Sequence, residues 1–496
     1  MTSAGLLLQP RARRRLDDAI SPILRPVVRA YVLGYASAVA PRLATLLVQH
    51  GCAMRRRGRG SADADGSQSR DSLVASLRRS LYGGLDSRRF PTFCAALVGG
   101  TTLLEVLVAR ILNHSSVQLS NIAQRRLSRW ISSFIAAWLS LRLLQSKTTK
   151  AYSETRTVDG DKQQEVVVRY AGRTLDLTLF AATRAVDVIV GELWARRRAR
   201  RVAAGRWAWF DSFISKMADP SMFATSCALI MWAWFYKPCA LPSAYNRWIG
   251  SAAAVDGRLI EALRRCRAGE LVYGSETGQA PLLQSMCAEY AWPLRWGDPA
   301  VTVPFPCEMV HMGRGGASCE LHALSRFGRS FRWSMMTYLP LNLLLALRGR
   351  GRGRKKAGKL LRAAVRAARS STFLAAFITL FYYGVCLART RLGPRVLGPH
   401  VAARQAIDGG LCVGAGCLLC GWSILFEDAA RRKDMALFVA PRALATLFPR
   451  RYALEKQWRE TLVFALSAAV VLTCVREDKG RVRGVLGRLL ASVLEA

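Results

Sequence analysis

Uncharged apolar runs recur along this chain with arginine-rich stretches between them, and that alternation limits what it can fold into. The runs are Phe90 to Leu104, Ile131 to Leu141, Pro220 to Tyr236, Trp333 to Leu347, Ser370 to Ala388, Gly409 to Phe426 and Thr461 to Val475. A helix that crosses a bilayer needs roughly 17 to 25 mostly apolar residues, each advancing it by about 1.5 Å. Ser370 to Ala388 and Gly409 to Phe426 reach that length unaided, and Pro220 to Tyr236 comes close. Phe90 to Leu104 continues through the single Glu105 into Val106 to Ala109. Basic residues at the ends of Trp333 to Leu347 extend it by snorkelling. The pattern predicts an all-α, polytopic membrane protein with about six to nine spans. Its rival is a large soluble protein with buried core helices.

Charge sharpens the choice. Across 496 residues, 73 Lys and Arg face 33 Asp and Glu, a formal net charge of +40, while 51% of residues are hydrophobic. The first figure excludes an ordinary soluble enzyme and the second a disordered basic tail. The basic stretches Arg55 to Arg57, Arg196 to Arg201, Arg348 to Lys356 and Arg431 to Lys433 flank the apolar runs on both sides. They therefore give no orientation. They do favour anionic lipid headgroups as partners, at on the order of 1 kcal/mol per juxtamembrane Lys or Arg. The 13 cysteines are odd in number and scattered, unlike a secreted disulfide scaffold. Near the N-terminus only Leu6 to Leu8 are consecutively apolar, so any targeting signal is expected to be internal.

The expected organisation is a basic N-terminal region (1–89), a first membrane half (90–236), a polar Cys/His subdomain (237–330), a second membrane half (331–475) and a tail (476–496). Gly60 to Arg70 and Ser146 to Gln164 read as exposed linkers. Two observations relate the halves. Asp176-Leu-Thr-Leu-Phe-Ala-Ala-Thr-Arg184-Ala-Val lies over Asp434-Met-Ala-Leu-Phe-Val-Ala-Pro-Arg442-Ala-Leu without a gap, six of eleven positions being identical. Internal repeats in membrane proteins mark structurally related halves. Arg184 and Arg442 each interrupt an apolar stretch, as Glu105 does. A charge at bilayer depth costs about 2.5 to 3.5 kcal/mol, so these are candidate intramembrane charges, with Asp176, Asp187 and Glu105 as carboxylate partners for the arginines if these are buried. The alternative is a pair of amphipathic helices lying in the interface. Gly410 and Gly414 have the four-residue spacing that lets membrane helices approach, and Gly99 and Gly100 offer the same in the first half.

Cys307, His311, Cys319 and His322 follow the pattern C-x3-H-x7-C-x2-H. Four such ligands suit tetrahedral zinc. A Cys307–Cys319 disulfide and an untethered polar turn stand beside that reading. Gly353 to Leu360 imitates a phosphate-binding loop but has Leu360 where Ser or Thr must hold magnesium. No G-x-S-x-G or H-E-x-x-H occurs and no convincing carboxylate pair stands out, so the expectation is a non-enzyme. Nucleic-acid binding would rest on charge alone, since the basic run Arg348 to Lys356 lacks interleaved aromatics, and no nucleic-acid partner is expected.

At Cys307-Glu-Met-Val-His311, Ser318-Cys319, Arg326-Phe327 and Tyr338-Leu339-Pro340 the chain resembles the transmembrane protein 135 family, its fungal-type members in particular. Further similar strings are Arg173 to Phe180, Gly191 to Trp194, Asp408 to Cys412 and Leu437 to Arg442. The chain departs from the family at Met312, where Pro is expected, and by an inserted Arg314-Gly-Gly. The resemblance implies a cysteine-rich, multi-pass protein of mitochondria or peroxisomes, distantly related to the mitochondrial inner-membrane translocase family. It implies roles in mitochondrial dynamics, chiefly fission, and in lipid homeostasis, with membrane-dynamics proteins or a second copy as partners. A carrier or channel for lipid or a small solute is the alternative.

Overall fold

The computed structural model describes residues 21, 24–57, 66–114, 120–158, 164–347, 354–478 and 480–494. Most of the Arg348 to Lys356 run and the first part of Gly60 to Arg70 lie outside them. The long helices are α1 (Arg25–Arg57), α2 (Gly66–Gly84), α3 (Phe90–His114), α4 (Asn121–Gln145), α5 (Leu175–Ala203) and α6 (Trp209–Tyr236). Shorter helices follow, α7 (Ser243–Ala253), α8 (Gly257–Ala268), α9 (Ala280–Glu289) and the single turn α10 (Cys307–Val310). Then come α11 (Cys319–Leu347), α12 (Arg354–Leu387), α13 (Gly393–Leu397), α14 (Val401–Ala406), α15 (Cys412–Cys420), α16 (Ala429–Ala445), α17 (Gln457–Glu477) and α18 (Gly484–Leu494). The described residues are all-α but for one small sheet. Ser146 to Gln164, expected as a linker, instead enters a hairpin of β1 (Ser153–Val158) and β2 (Gln164–Ala171), to which β3 (Tyr452–Ala453) adds antiparallel. The run Val166-Val-Val168 with Tyr170 has the β-branched and aromatic character that a pleated surface favours.

Contacts divide the chain into two compact units, Met1–Ala204 with Arg450–Ala496 and Gly205–Pro449. The boundaries cut through the expected segments 90–236 and 331–475, because the last helix of each repeat sits in the other unit. In the first unit α3 packs on α1 and α4, and α17 packs on α4 and α5. In the second, α12 packs on α11 and α15, and α6 packs on α15 and α16. The order α1, α3, α4, α5, α6 thus matches α11, α12, α15, α16, α17, with α6 and α17 exchanged. Side chains repeat along with the helices. Thr92-Phe-x-Ala-Ala96 of α3 corresponds to Thr372-Phe-x-Ala-Ala376 of α12, and Phe223-Ala-x-Ser-x-Ala228 of α6 to Phe464-Ala-x-Ser-x-Ala469 of α17. Phe464 meets Phe93 at a ring separation of 5.8 Å, and Phe223 meets Phe373 at 5.9 Å. In the 11-residue repeat, Arg184 lies 5.2 Å from the Phe180 ring and Arg442 5.0 Å from Phe438.

Four helical stretches are long and apolar enough to cross a membrane, Phe90–His114, Gly358–Leu397, Val401–Phe426 and Leu454–Glu477. The protein is therefore polytopic, with fewer such stretches among the described residues than the six to nine expected. Ile131 to Leu141 is cut short at both ends by Arg125, Arg126, Arg129 and Arg142, and Trp232, Trp234 and Tyr236 temper α6. Even so, α4 and α6 occupy the places in their bundles that α15 and α17 fill in the other. Apolar side chains left outside the packed interior, such as Ile111 at 68% exposure and Leu418 at 66%, need hydrocarbon rather than water around them. The polar section 237–330 does not form a core of its own. Its Leu259, Leu263, Leu283, Met286 and Met309 join Phe235, Phe381 and Val413 in one cluster.

Close helix approach falls partly on other glycines than those expected. A Cβ on Gly100 would stand 2.7 Å from the Ala136 Cβ of α4, and one on Gly99 3.1 Å from Val27 of α1. Gly414 makes only ordinary contact, 3.7 Å to Trp232. In the second unit the tight crossing is between α12 and α15, where a Cβ on Gly384 would lie 2.9 Å from the Gly416 Cα. Small-residue spacing along one helix does not say which residues face the partner. Gly384→Val should therefore destabilise detergent-solubilised protein by about 1 to 3 kcal/mol through overpacking, whereas Gly414→Ala should stay within about 0.5 kcal/mol. Thermal unfolding of the two variants checks the ordering, and equal losses would contradict this packing.

Candidate metal centre

The Cys/His pattern folds into a four-membered donor cluster, but with a different fourth member. Cys307, His311, Cys319 and Cys386 place their ligand atoms within 4.8 Å of one another. Cys386, from the end of α12, takes the place expected for His322. The cluster is assembled by a tight reversal over 312–316, in which Met312, Gly313, Gly315 and Gly316 all have positive φ. A Cβ on Gly315 would meet the His322 backbone nitrogen at 2.7 Å, so the glycine-rich reversal lets α11 turn back closely beside α10. Cys319 opens α11, where the free backbone N–H groups of the first turn favour negative charge.

Two histidines stack in this turn, their ring centroids 4.3 Å apart. Nδ1 of His311 is 2.8 Å from the Gly316 carbonyl oxygen. A carbonyl only accepts, so Nδ1 carries the proton and Nε2 turns its lone pair to the cysteines, 3.4 Å from Cys386 Sγ. His322 uses Nδ1 in the same way on the Arg314 carbonyl at 3.1 Å. Burial and the neighbouring His311 push His322 down to about 4, so it is neutral near pH 7. Its ring backs His311 instead of joining the cluster. The Cys307 thiol is held below the ordinary range chiefly by its hydrogen bond with Cys386 and by the Arg389 guanidinium, against the opposing effect of burial. All twelve described cysteines are free, so Cys307 and Cys319 are not bridged.

Cys386 belongs to a stripe on α12. Tyr382, Cys386 and Arg389 are spaced four and three residues apart and share one helix face. Each grips the polar section. The Tyr382 hydroxyl donates to the Ala253 carbonyl at 2.9 Å, and Arg326, stacked 3.8 Å above the Tyr382 ring, donates to the same carbonyl at 2.7 Å. Arg389 donates to the Phe305 carbonyl at 3.1 Å and to both Asp408 oxygens at 2.6 and 2.8 Å. Tyr273 completes the network by donating to Asp408 at 2.5 Å. Arg389 and Asp408 are 2% and 1% exposed. The chain reaches this pairing through two π-helical turns, Ala388–Leu392 and Ile407–Leu411, the second containing Gly410 at φ 151°. That backbone is what Gly410 provides, in place of a helix-packing surface. Burial and the Asp408 carboxylate raise Tyr273 well above the ordinary phenol range and keep it a donor.

The remaining expected site residues lie apart from this centre. Glu105 sits in the Phe90–His114 span and pairs with Arg129 at 3.0 Å and with Arg476. Asp176 pairs with Arg450 at 3.1 Å, and Asp187 with Arg483. Arg184 is buried and donates to the Arg483 carbonyl at 3.3 Å. Arg442 is half-buried, between the rings of Phe438 and Tyr245. Neither arginine is on a helix long and apolar enough to span. Buried charges missed from sequence include Asp211, Arg326, Arg389, Asp408, Glu427 and Glu460, the last accepting from Thr174 and Tyr452. The chain matches no protein-family model, no curated protein and no solved structure.

The Arg389–Asp408 pair predicts a sharp asymmetry. Asp408→Asn leaves a buried guanidinium without its counter-ion and should cost about 3 to 5 kcal/mol. Asp176→Asn at the half-exposed pair with Arg450 should cost less than about 1 kcal/mol. Melting temperatures of the purified variants decide this, and equal shifts would show that the buried pair is not formed.

Proposed function

We propose that this integral membrane protein is a non-catalytic regulator of an organelle membrane. As the transmembrane protein 135 resemblance implies, it acts in mitochondrial dynamics, chiefly fission, and in mitochondrial or peroxisomal lipid homeostasis. The observation that carries the non-catalytic part is the way the buried polar side chains facing the polar section bond to other parts of the protein. Cys386, Arg389, Asp408, Tyr273 and Tyr382 hold helix to loop, where a catalyst would offer such groups to a cleft. A small apolar cavity in the second unit is lined by Trp234, Leu263, Phe305 and Val413. The carrier alternative rests on the repeat architecture, which carriers share. The exposed arginines of Arg196 to Arg200 suit anionic headgroups as partners. Membrane-dynamics proteins or a second copy are the further partners of this reading, and nucleic acid is not one.

Carbonate extraction combined with imaging of an internally tagged chain tests it. The tagged protein should pellet with mitochondria or peroxisomes, and deletion should change the number or length of those organelles. Normal organelle shape after deletion, with solute flux appearing in vesicles reconstituted with the protein, would favour the carrier instead.

A further inference from the structure

We infer that Cys307, His311, Cys319 and Cys386 form a structural zinc site that fastens the polar section to membrane helix α12. This goes beyond the regulatory reading and does not depend on it.

Zinc binds thiolate at about 2.3 Å and imidazole at about 2.0 to 2.1 Å. Around a tetrahedron this sets neighbouring ligand atoms roughly 3.4 to 3.8 Å apart. The Cys386 Sγ to His311 Nε2 distance is already 3.4 Å, and all four ligand atoms lie within 4.8 Å. Closing the rest needs shifts of about 1 Å, within side-chain adjustment.

The ligands also have the arrangement around them that metal sites require. The hydrogen bond from His311 Nδ1 to Gly316 fixes the tautomer whose Nε2 lone pair faces the thiols. Cys319, Cys386 and His311 are buried and Cys307 is half-buried, so all four positions belong to the protein and none is left for a substrate. Closed, four-coordinate Cys and His sets are structural zinc sites, in contrast to catalytic ones, which keep one position open. A disulfide explains the cluster less well. A bridge would use only two of the four converging donors and leave the third cysteine and His311 outside it. On loading, the three thiols release their protons to solvent and bind as thiolates.

The sources of the ligands give the site its consequence. Cys307 and His311 come from the α10 turn, Cys319 from the start of α11 and Cys386 from α12. Zinc would therefore join three elements whose shared backbone hydrogen bonds are few. It lies on the same α12 face as Tyr382 and Arg389, which hold the polar section by hydrogen bonds alone.

The test uses full-length protein purified in detergent without added chelator. Elemental analysis should find about one zinc per chain, and cobalt exchanged for it should show the visible absorption of a tetrahedral thiolate complex. Cys386→Ser should lose the metal, and His322→Gln should keep it within about twofold. Because Cys386→Ser could unfold the chain, the wild type provides a second measurement. Cys307, Cys319 and Cys386 should become alkylated together only after a chelator is added, as read by mass spectrometry. Metal retained in Cys386→Ser but lost in His322→Gln would overturn the ligand set. A metal-free chain whose alkylation ignores the chelator, a Cys307–Cys319 cross-link, or iron and sulfide in place of zinc would overturn the site.

Discussion

The contact of Phe93 with Phe464, and its counterpart of Phe223 with Phe373, marks the constraint from which the rest of the architecture follows. Each bundle is closed by a helix that chain order assigns to the other copy of the repeat. α17 fills the groove between α4 and α5, and α6 fills the one between α15 and α16. Both inserted helices bury the same Phe-Ala-x-Ser motif, with Phe464, Ala465 and Ser467 in one and Phe223, Ala224 and Ser226 in the other. The first bundle cannot be completed without the distant α17, whereas the second is the continuous stretch Gly205–Pro449, opened by α6. Helix packing in a bilayer gains little from a hydrophobic drive and depends on close fit, so a copied groove accepts a copied helix from either source.

The two copies have diverged in what their spans hold. Where α3 presents Glu105 to Arg129 and Arg476, the corresponding α12 presents Tyr382, Cys386 and Arg389 to a long polar insertion before α11. Those three side chains make the second unit one core in which short extramembrane helices share a hydrophobic cluster with α6 and α15. A buried ion pair contributes little net stability because both charges lose water. Here Asp408 and Arg389 fix which turn of α12 faces which loop. Phe305 is held twice, by its carbonyl and by the guanidinium 4.2 Å from its ring.

Much of this was legible in the sequence. Four of the seven apolar runs lie in stretches able to span, and the all-α class followed from their lengths. The 11-residue repeat signalled two related copies, because its segments fall on α5 and α16, which pack in the same way on α17 and α6. Its short extent hid the exchange, since the exchanged helices share only small and apolar residues that composition bias also produces. Cys307, His311 and Cys319 were found because they cluster along the chain. Cys386 was not, because it lies 67 residues beyond Cys319 inside an apolar run, where a cysteine reads as packing. The available signal was Arg389, a charge three residues on in the same helix, which marks that face as turned toward polar partners. His322 was chosen for its spacing, but the reversal through Gly315 places its ring behind His311. Gly410 was read as a packing residue because spacing carries no information about φ.

The exchange itself is tested most directly by placing the photoreactive side chain p-benzoylphenylalanine at position 93 of the full-length chain, irradiating it in membranes and mapping the adducts by mass spectrometry. The account places the adducts on α17, around Phe464. Adducts on α6 around Phe223 would mean that each copy keeps its own last helix, and would contradict it.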